Sequence, residues 1–144
     1  MLKGIPPILS PDLLKALMEM GHGDEIVIAD GHFPAAAMAK RLIRLDGHGV
    51  PEVLEAVLKY LPLDDYVEKP ATLMSVVSAG DGYVSIIQET YKSILTKSGN
   101  SNKDEVLERS AFYERAKNAY AIVATSEKSK YANIILKKGL VEPE

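Results

Sequence analysis

The sequence predicts an α/β fold: a three-layer α/β/α single domain over residues 1–144, with a mostly parallel six-stranded sheet whose last strand is antiparallel. Two observations carry that expectation. Stretches with apolar residues at helical spacing alternate with short β-branched runs, the pattern of helices covering both faces of a sheet. Only about six residues, Ser126 to Tyr131, separate the last two runs, whereas a parallel crossover takes a dozen or more, so those two strands, if neighbours, are expected to be antiparallel. A chain of 144 residues with 47% hydrophobic residues can fill one core without a covalent staple.

Ser10-Pro11-Asp12 is a helix start, with a capping hydroxyl, a proline at the first helical position and an acid at the positive end of the dipole. Leu13, Leu14, Leu17 and Met18 continue at helical spacing, and Gly21 is expected to end the helix in a left-handed conformation. Glu25 to Asp30 is nearly continuous in apolar character, as in a strand buried on both faces. Arg41 to Leu45 predicts a second strand and Pro51 to Leu61 a helix. Thr72 to Val77 predicts a third strand and Ser85 to Thr96 a helix. Glu105 to Arg109 is a short fourth strand. Ala111 to Ala119 follows as a helix capped by Ser110, then Tyr120 to Thr125 and Ala132 to Lys137 as the fifth and sixth strands.

Composition narrows the chemistry. With no cysteine, disulfides, thiolate metal sites and cysteine nucleophiles are excluded. The 17 Lys and Arg against 20 Asp and Glu leave a net charge of −3 and no basic stripe, which disfavours a nucleic-acid partner. No apolar run approaches the ~20 residues that span a bilayer, and two prolines at positions 6 and 7 interrupt any signal-peptide core. No membrane partner and a cytoplasmic location are therefore expected. Neither a dinucleotide fingerprint nor a phosphate loop is present, and the three histidines, His22, His32 and His48, are too far apart for a local metal motif. The expectation is no cofactor and no metal.

Several residues have two readings each. His22 lies between Gly21 and Gly23 at a helix-to-strand junction, either an acid reachable by a ligand or an exposed turn residue. Asp30 ends a hydrophobic strand at the edge where open α/β sheets place ligands, or begins a turn with Gly31. Arg109 at the end of the fourth strand is a ligand donor or a surface ion-pair partner. Tyr131 and Asn133 are expected on one face of the last strand, offering a hydroxyl and an amide to a polyol or simply packing. His32 is expected at a site rim or in a solvent role, and His48 in an exposed loop.

Four motifs, Met20 to Asp30, Phe33-Pro34, Arg109 to Ala116 and Lys130 to Gly139, together resemble the D-ribose pyranase/L-fucose mutarotase family, and most of all its fucose mutarotase branch. The resemblance spans essentially the whole chain. One departure is Ser110, which follows Arg109 where that branch is expected to carry an aromatic residue. The resemblance implies a cytoplasmic, cofactor-free isomerase acting on a monosaccharide and assembled into a ring-shaped homo-oligomer, commonly a decamer. It further implies His22 as proton donor and Asp30, Arg109, Tyr131 and Asn133 as sugar contacts, with Asp30 also a candidate for proton transfer. The expected reaction is exchange of the α and β anomers of L-fucopyranose. The alternatives are pyranose–furanose exchange of D-ribose, or a non-catalytic monosaccharide-binding module.

This chemistry needs only proton transfer, which contributes about 10²–10⁴-fold. Chain geometry adds a further expectation. Eight residues separate His22 from Asp30, up to ~26 Å at about 3.3 Å per extended residue, with the strand between them. The two are expected at opposite edges of the sheet, so that His22 of one subunit completes the site of its neighbour.

Overall fold

The computed structural model describes residues 1–143. Its strands are β1 (Glu25–Ala29), β2 (Leu42–Leu45), β3 (Ala71–Met74), β4 (Asp104–Leu107), β5 (Ala121–Thr125) and β6 (Ile134–Lys137). They form one sheet in the order β2-β5-β1-β6-β3-β4. β6 alone is antiparallel, and it is central: it pairs with β1 from Glu25↔Lys137 to Ile28↔Ile134, and with β3 from Ala71↔Leu136 to Leu73↔Ile134. The parallel trio β2-β5-β1 and the parallel pair β3-β4 are joined through this one strand. The short connection from β5 therefore makes the last strand antiparallel as expected, although β5 and β6 are not neighbours.

Five helices, α1 (Pro11–Glu19), α2 (Ala35–Met38), α3 (Val50–Leu58), α4 (Ile86–Lys97) and α5 (Arg109–Lys117), cover the two faces. Alternate side chains of each central strand enter separate cores. Ile26, Ile28, Val123, Ile134 and Leu136 pack with Leu13 and Leu17 of α1, Leu54 and Val57 of α3, and Tyr91 and Leu95 of α4. Val27, Ala29, Ile122, Ala124 and Ile135 pack on the other face with Phe33, Ala35, Phe112 and Ala116. Ser10 caps α1 by accepting from Leu13 N at 3.3 Å, and Ser85 caps α4 by accepting from Gln88 N at 3.2 Å.

Several boundaries depart from the sequence reading: α2 is an added short helix, α3 ends at Leu58 rather than Leu61, and the departures near the two sheet edges are marked by hydrogen bonds. α1 does not end through Gly21; Gly23 has the positive φ of 89°, and the carbonyls of Leu17 and Met20 are taken by Lys138 Nζ at 2.6 Å each. β3 stops at Met74 and the chain turns into a single 3₁₀ turn, Val77–Ala79. β4 stops at Leu107, whose carbonyl accepts Ser75 N in the last rung, and Phe112 N then closes on Glu108 O at 2.8 Å. Arg109 consequently opens α5 rather than ending a strand, and Ser110 lies inside the helix while Glu108 holds the N-cap position with no side-chain cap. β6 begins at Ile134 because the backbone of Ala132 is already engaged, its N–H by Asp30 Oδ2 at 3.4 Å and its carbonyl by the Tyr91 hydroxyl at 2.8 Å.

At the end of β6 and just past it, residues 137–139 are flanked on both sides. Gly23 N and Asp24 O bond Lys138 from one side, and Asp64 N reaches Lys137 O at 3.0 Å and Gly139 N reaches Pro62 O at 2.8 Å on the other. A Cβ on Gly139 would stand 2.6 Å from Leu63 O and 2.7 Å from Asp64 Cα. Gly139→Ala is therefore expected to cost about 1–3 kcal/mol by overpacking. The check is urea unfolding, with a lower midpoint at unchanged m-value.

Candidate active site

At the carboxyl edge of the parallel strands, β1 leads into Asp30, β3 ends at Met74 and β4 leads into Arg109. The antiparallel β6 begins at the same edge, so Tyr131 and Asn133 arrive from the opposite chain direction. Asp30, Arg109, Tyr131 and Asn133 line one cleft of about 460 Å³, which also takes in His32, Phe33, Met74, Ser78, Tyr113 and Lys130. Four of the five sequence-predicted site residues are thus brought together within one chain.

Asp30 is 6% exposed and Asn133 4%. Burying such groups is tolerable only with partners, and both are partnered. Asn133 Oδ1 accepts the backbone N–H of Asp30 at 2.7 Å, while the Asp30 carboxylate accepts His32 N at 3.0 Å through Oδ1 and Ala132 N at 3.4 Å through Oδ2. These bonds fix the carboxylate at the cleft floor. Arg109 opens α5 on the cleft rim with its guanidinium 5.2 Å from the Tyr113 ring centroid. A cation at a helix N-terminus opposes the dipole, so helix stability does not account for an arginine here.

Tyr131 is not a strand residue: its φ is +56°, a left-handed backbone that costs a non-glycine residue about 1–2 kcal/mol. Such strain persists only where the surroundings impose it. Gln88 Nε2 donates to Tyr131 O at 2.9 Å and to Met74 O at 2.8 Å, the Tyr131 hydroxyl meets Ser78 Oγ at 3.1 Å, and Tyr83 packs edge-on at 5.8 Å. Tyr131 and Asn133 reach the cleft through this imposed turn, not through a shared strand face. Burial pushes the Tyr91 phenol far above its ordinary range, which keeps its hydroxyl a donor to Ala132 O. Gln88, Tyr91 and Ser78 were not legible as site supports in the sequence. The one available signal was a polar Gln88 on the otherwise apolar stripe of α4.

His22 is not in this cleft. It precedes β1 at the other edge of the sheet, across a five-residue strand of roughly 17 Å. There its Nε2 stands 2.9 Å from Asp64 Oδ1, its ring meets the Tyr66 ring edge-on at 4.7 Å, and its side chain remains 32% exposed. Asp64 Oδ1 also accepts Tyr66 N at 3.0 Å. The separation of His22 from Asp30 expected from chain length is what the fold produces. His32 sits at the cleft rim, and His48 is bonded to Glu52 at 3.1 Å in the loop before α3. Among the described residues no cluster of three or more His, Asp or Glu is placed to hold a metal, and no helix is long and apolar enough to cross a membrane.

Comparison with known proteins gives a consistent set of likenesses. Residues 3–141 match the RbsD / FucU transport protein family. The chain is 50% identical to the human fucose mutarotase over 97% of its own length and 94% of the relative's. It is 50% identical to the L-fucose mutarotase of Actinobacillus pleuropneumoniae, covering 97% of each. The crystal structure of a Streptococcus pneumoniae fucose mutarotase in complex with L-fucose superposes with a TM-score of 0.93 at 53% identity, covering 98% of this chain and 100% of that one.

Two outcomes follow from the geometry. Asn133→Ala leaves the buried Asp30 N–H unpaired and is expected to lower stability by about 1–3 kcal/mol in urea unfolding. The bond to His22 and that from Tyr66 N hold the Asp64 carboxyl below the ordinary carboxylate range against the opposing effect of burial. A depressed folded value means the unfolded chain binds the proton more tightly, so this stabilisation is complete above about pH 4 and is lost as pH falls further. The stability difference between the wild type and Asp64→Asn is expected to be full at neutral pH and to shrink below about pH 4.

Proposed function

The chain belongs to the RbsD / FucU transport protein family, and from that premise we propose that it is an L-fucose mutarotase, interconverting the α and β anomers of L-fucopyranose by ring opening and reclosure. The observation that carries this reading is the cleft, where a carboxylate, a guanidinium, a phenol and an amide converge on a space of monosaccharide size. Phe33 and Met74 line the same cleft and offer an apolar wall to the methyl group of a 6-deoxy sugar. The neutral sugar is held by hydrogen bonds from Arg109, Tyr131 and Asn133, and by Asp30 accepting from its hydroxyls.

In the reaction, an acid protonates the ring oxygen as the bond from that oxygen to the anomeric carbon breaks. The anomeric hydroxyl gives up its proton to a base, and an open-chain aldehyde results. The carbonyl rotates, and the reverse transfers close the ring on its other face. His22 is the acid in this reading, and Asp30 orients the anomeric hydroxyl or takes its proton. Because His22 and Asp30 belong to opposite edges of the sheet, His22 of one subunit serves the cleft of the next. The assembly we propose is a ring-shaped homo-oligomer, a decamer, in the cytoplasm. Val77, Val84 and Ile86, at 82%, 68% and 81% exposure beside the cleft, support a subunit contact at this rim.

Saturation-transfer NMR on equilibrated L-fucose, D-ribose and D-galactose tests the activity. Accelerated anomeric exchange of L-fucose is expected, with a loss of about 10²–10⁴-fold in His22→Ala. Exchange of ribose alone would overturn the sugar assignment, and sugar binding without exchange would overturn the enzyme. Mixing His22→Ala with Asp30→Asn subunits is expected to restore exchange, since mixed neighbours rebuild intact sites; a mixture as inactive as its components would sink the shared site.

A further inference from the structure

His22 presents two nitrogens of different standing. Nε2 stands against Asp64, whereas Nδ1 has no hydrogen-bond partner among the described residues. Asp64 is itself fixed: its side chain is 5% exposed, its N–H bonds Lys137 O at 3.0 Å, and its Oδ1 also accepts Tyr66 N at 3.0 Å. The opposing turn is equally held, since Gly23 N bonds Lys138 O and Asp24 Oδ2 accepts Gly21 N at 2.7 Å. The two turns bond successive residues at the end of β6, one at Lys138 and the other at Lys137 and Gly139, so backbone hydrogen bonds set the spacing between the turns that carry the imidazole and the carboxylate.

We propose that Asp64 is the positioning residue of His22, holding the neutral imidazole as its Nε2–H tautomer so that Nδ1 is the nitrogen that exchanges the proton with the sugar. This rests on the role of His22 in the reading above. The carboxylate can only accept, so in the neutral ring the proton resides on Nε2 and the Nδ1 lone pair is left facing outward. When the ring is charged, Nδ1–H is the one donor not already committed. It passes its proton to the ring oxygen while Nε2–H stays on Asp64, and reclosure returns the proton to Nδ1.

The other charged and titratable groups around the pair are otherwise engaged or act on Asp64. Lys138 Nζ is bound to the Leu17 and Met20 carbonyls, Asp24 to Gly21 N, and Lys137 contributes an attraction to Asp64. Tyr66 covers the imidazole edge-on and leaves Asp64 as its hydrogen-bonding partner. The arrangement is that of a carboxylate behind a working imidazole, which fixes tautomer and orientation without touching the substrate. No local motif marks Asp64, which lies 42 positions from His22.

The test reads the tautomer directly. Long-range ¹H–¹⁵N correlation of the full-length protein at mildly alkaline pH is expected to show His22 protonated at Nε2 with an unprotonated Nδ1. An Nδ1–H tautomer in the wild type overturns the proposal whatever the variants do. Asp64→Ala is expected to lower kcat for L-fucose exchange about 10–100-fold with little change in KM, and to give a mixed His22 tautomer. Asp64→Asn keeps an oxygen for both bonds and is expected to recover most of the rate and the Nε2–H tautomer. Wild-type kcat in Asp64→Ala, or an Asn variant no faster than the Ala variant, overturns it. If His22→Ala alone keeps full exchange, the assignment of His22 as the acid fails instead, and the spectra still report on Asp64.

Discussion

The antiparallel placement of β6 at the centre of the sheet is the constraint on which the rest of the molecule depends. Among the described residues it is the only bridge between the parallel trio and the parallel pair, so the sheet exists as one body only if β6 pairs on both sides. Because it runs against its neighbours, its first residues stand at the carboxyl edge and its last at the amino edge. Tyr131 and Asn133 are thereby delivered beside Asp30, while Lys138 and Gly139 anchor the turns that carry His22 and Asp64. A parallel sixth strand would reverse these assignments, and both polar centres would lose their backbone supports.

Both centres are built by using backbone groups that a longer strand would have consumed. Ala132 gives its N–H to Asp30 and its carbonyl to Tyr91, at the cost of two rungs of ladder. Tyr131 takes a left-handed backbone held by Gln88 and Ser78. Among the described residues, every buried side-chain nitrogen and oxygen has a partner, so this polarity does not leave desolvated groups unsatisfied. The structural support of the cleft therefore lies in groups beyond the ones that face it. Gln88 joins the end of β3 to the turn before β6, and Tyr91 pins that turn from below.

The division of polar groups between two edges has a chemical consequence. A cleft holding Asp30, Arg109, Tyr131 and Asn133 has the acceptors and donors to grip a polyol, and the imidazole with its own carboxylate stands across the sheet. In the proposed reaction these are two halves of a proton-transfer site, set apart within one chain. Proposing that neighbouring subunits join them makes assembly part of the chemistry rather than an accessory to it.

Much of this was legible in the chain. The alternation of β-branched runs with helical stripes predicted the layered α/β/α sheet, and the short link after β5 predicted the direction of β6, because strand connections are limited by length. Asp30 at a strand terminus and His22 eight residues upstream could be placed at opposite edges by the rise of an extended chain alone. Sequence could not show that β6 inserts between β1 and β3, since strand order is decided by which faces bury best over the whole sheet. For the same reason it misplaced Arg109 and Ser110, treating as strand end and cap two residues that the burial of Phe112 and Ala116 draws into a helix. Nor could it couple Asp64 to His22 or Gln88 to Tyr131, pairs 42 and 43 positions apart, because such contacts are side-chain meetings across folded backbone. Periodicity and spacing determine which elements form and how far they reach; which distant polar groups touch is decided only when those elements pack.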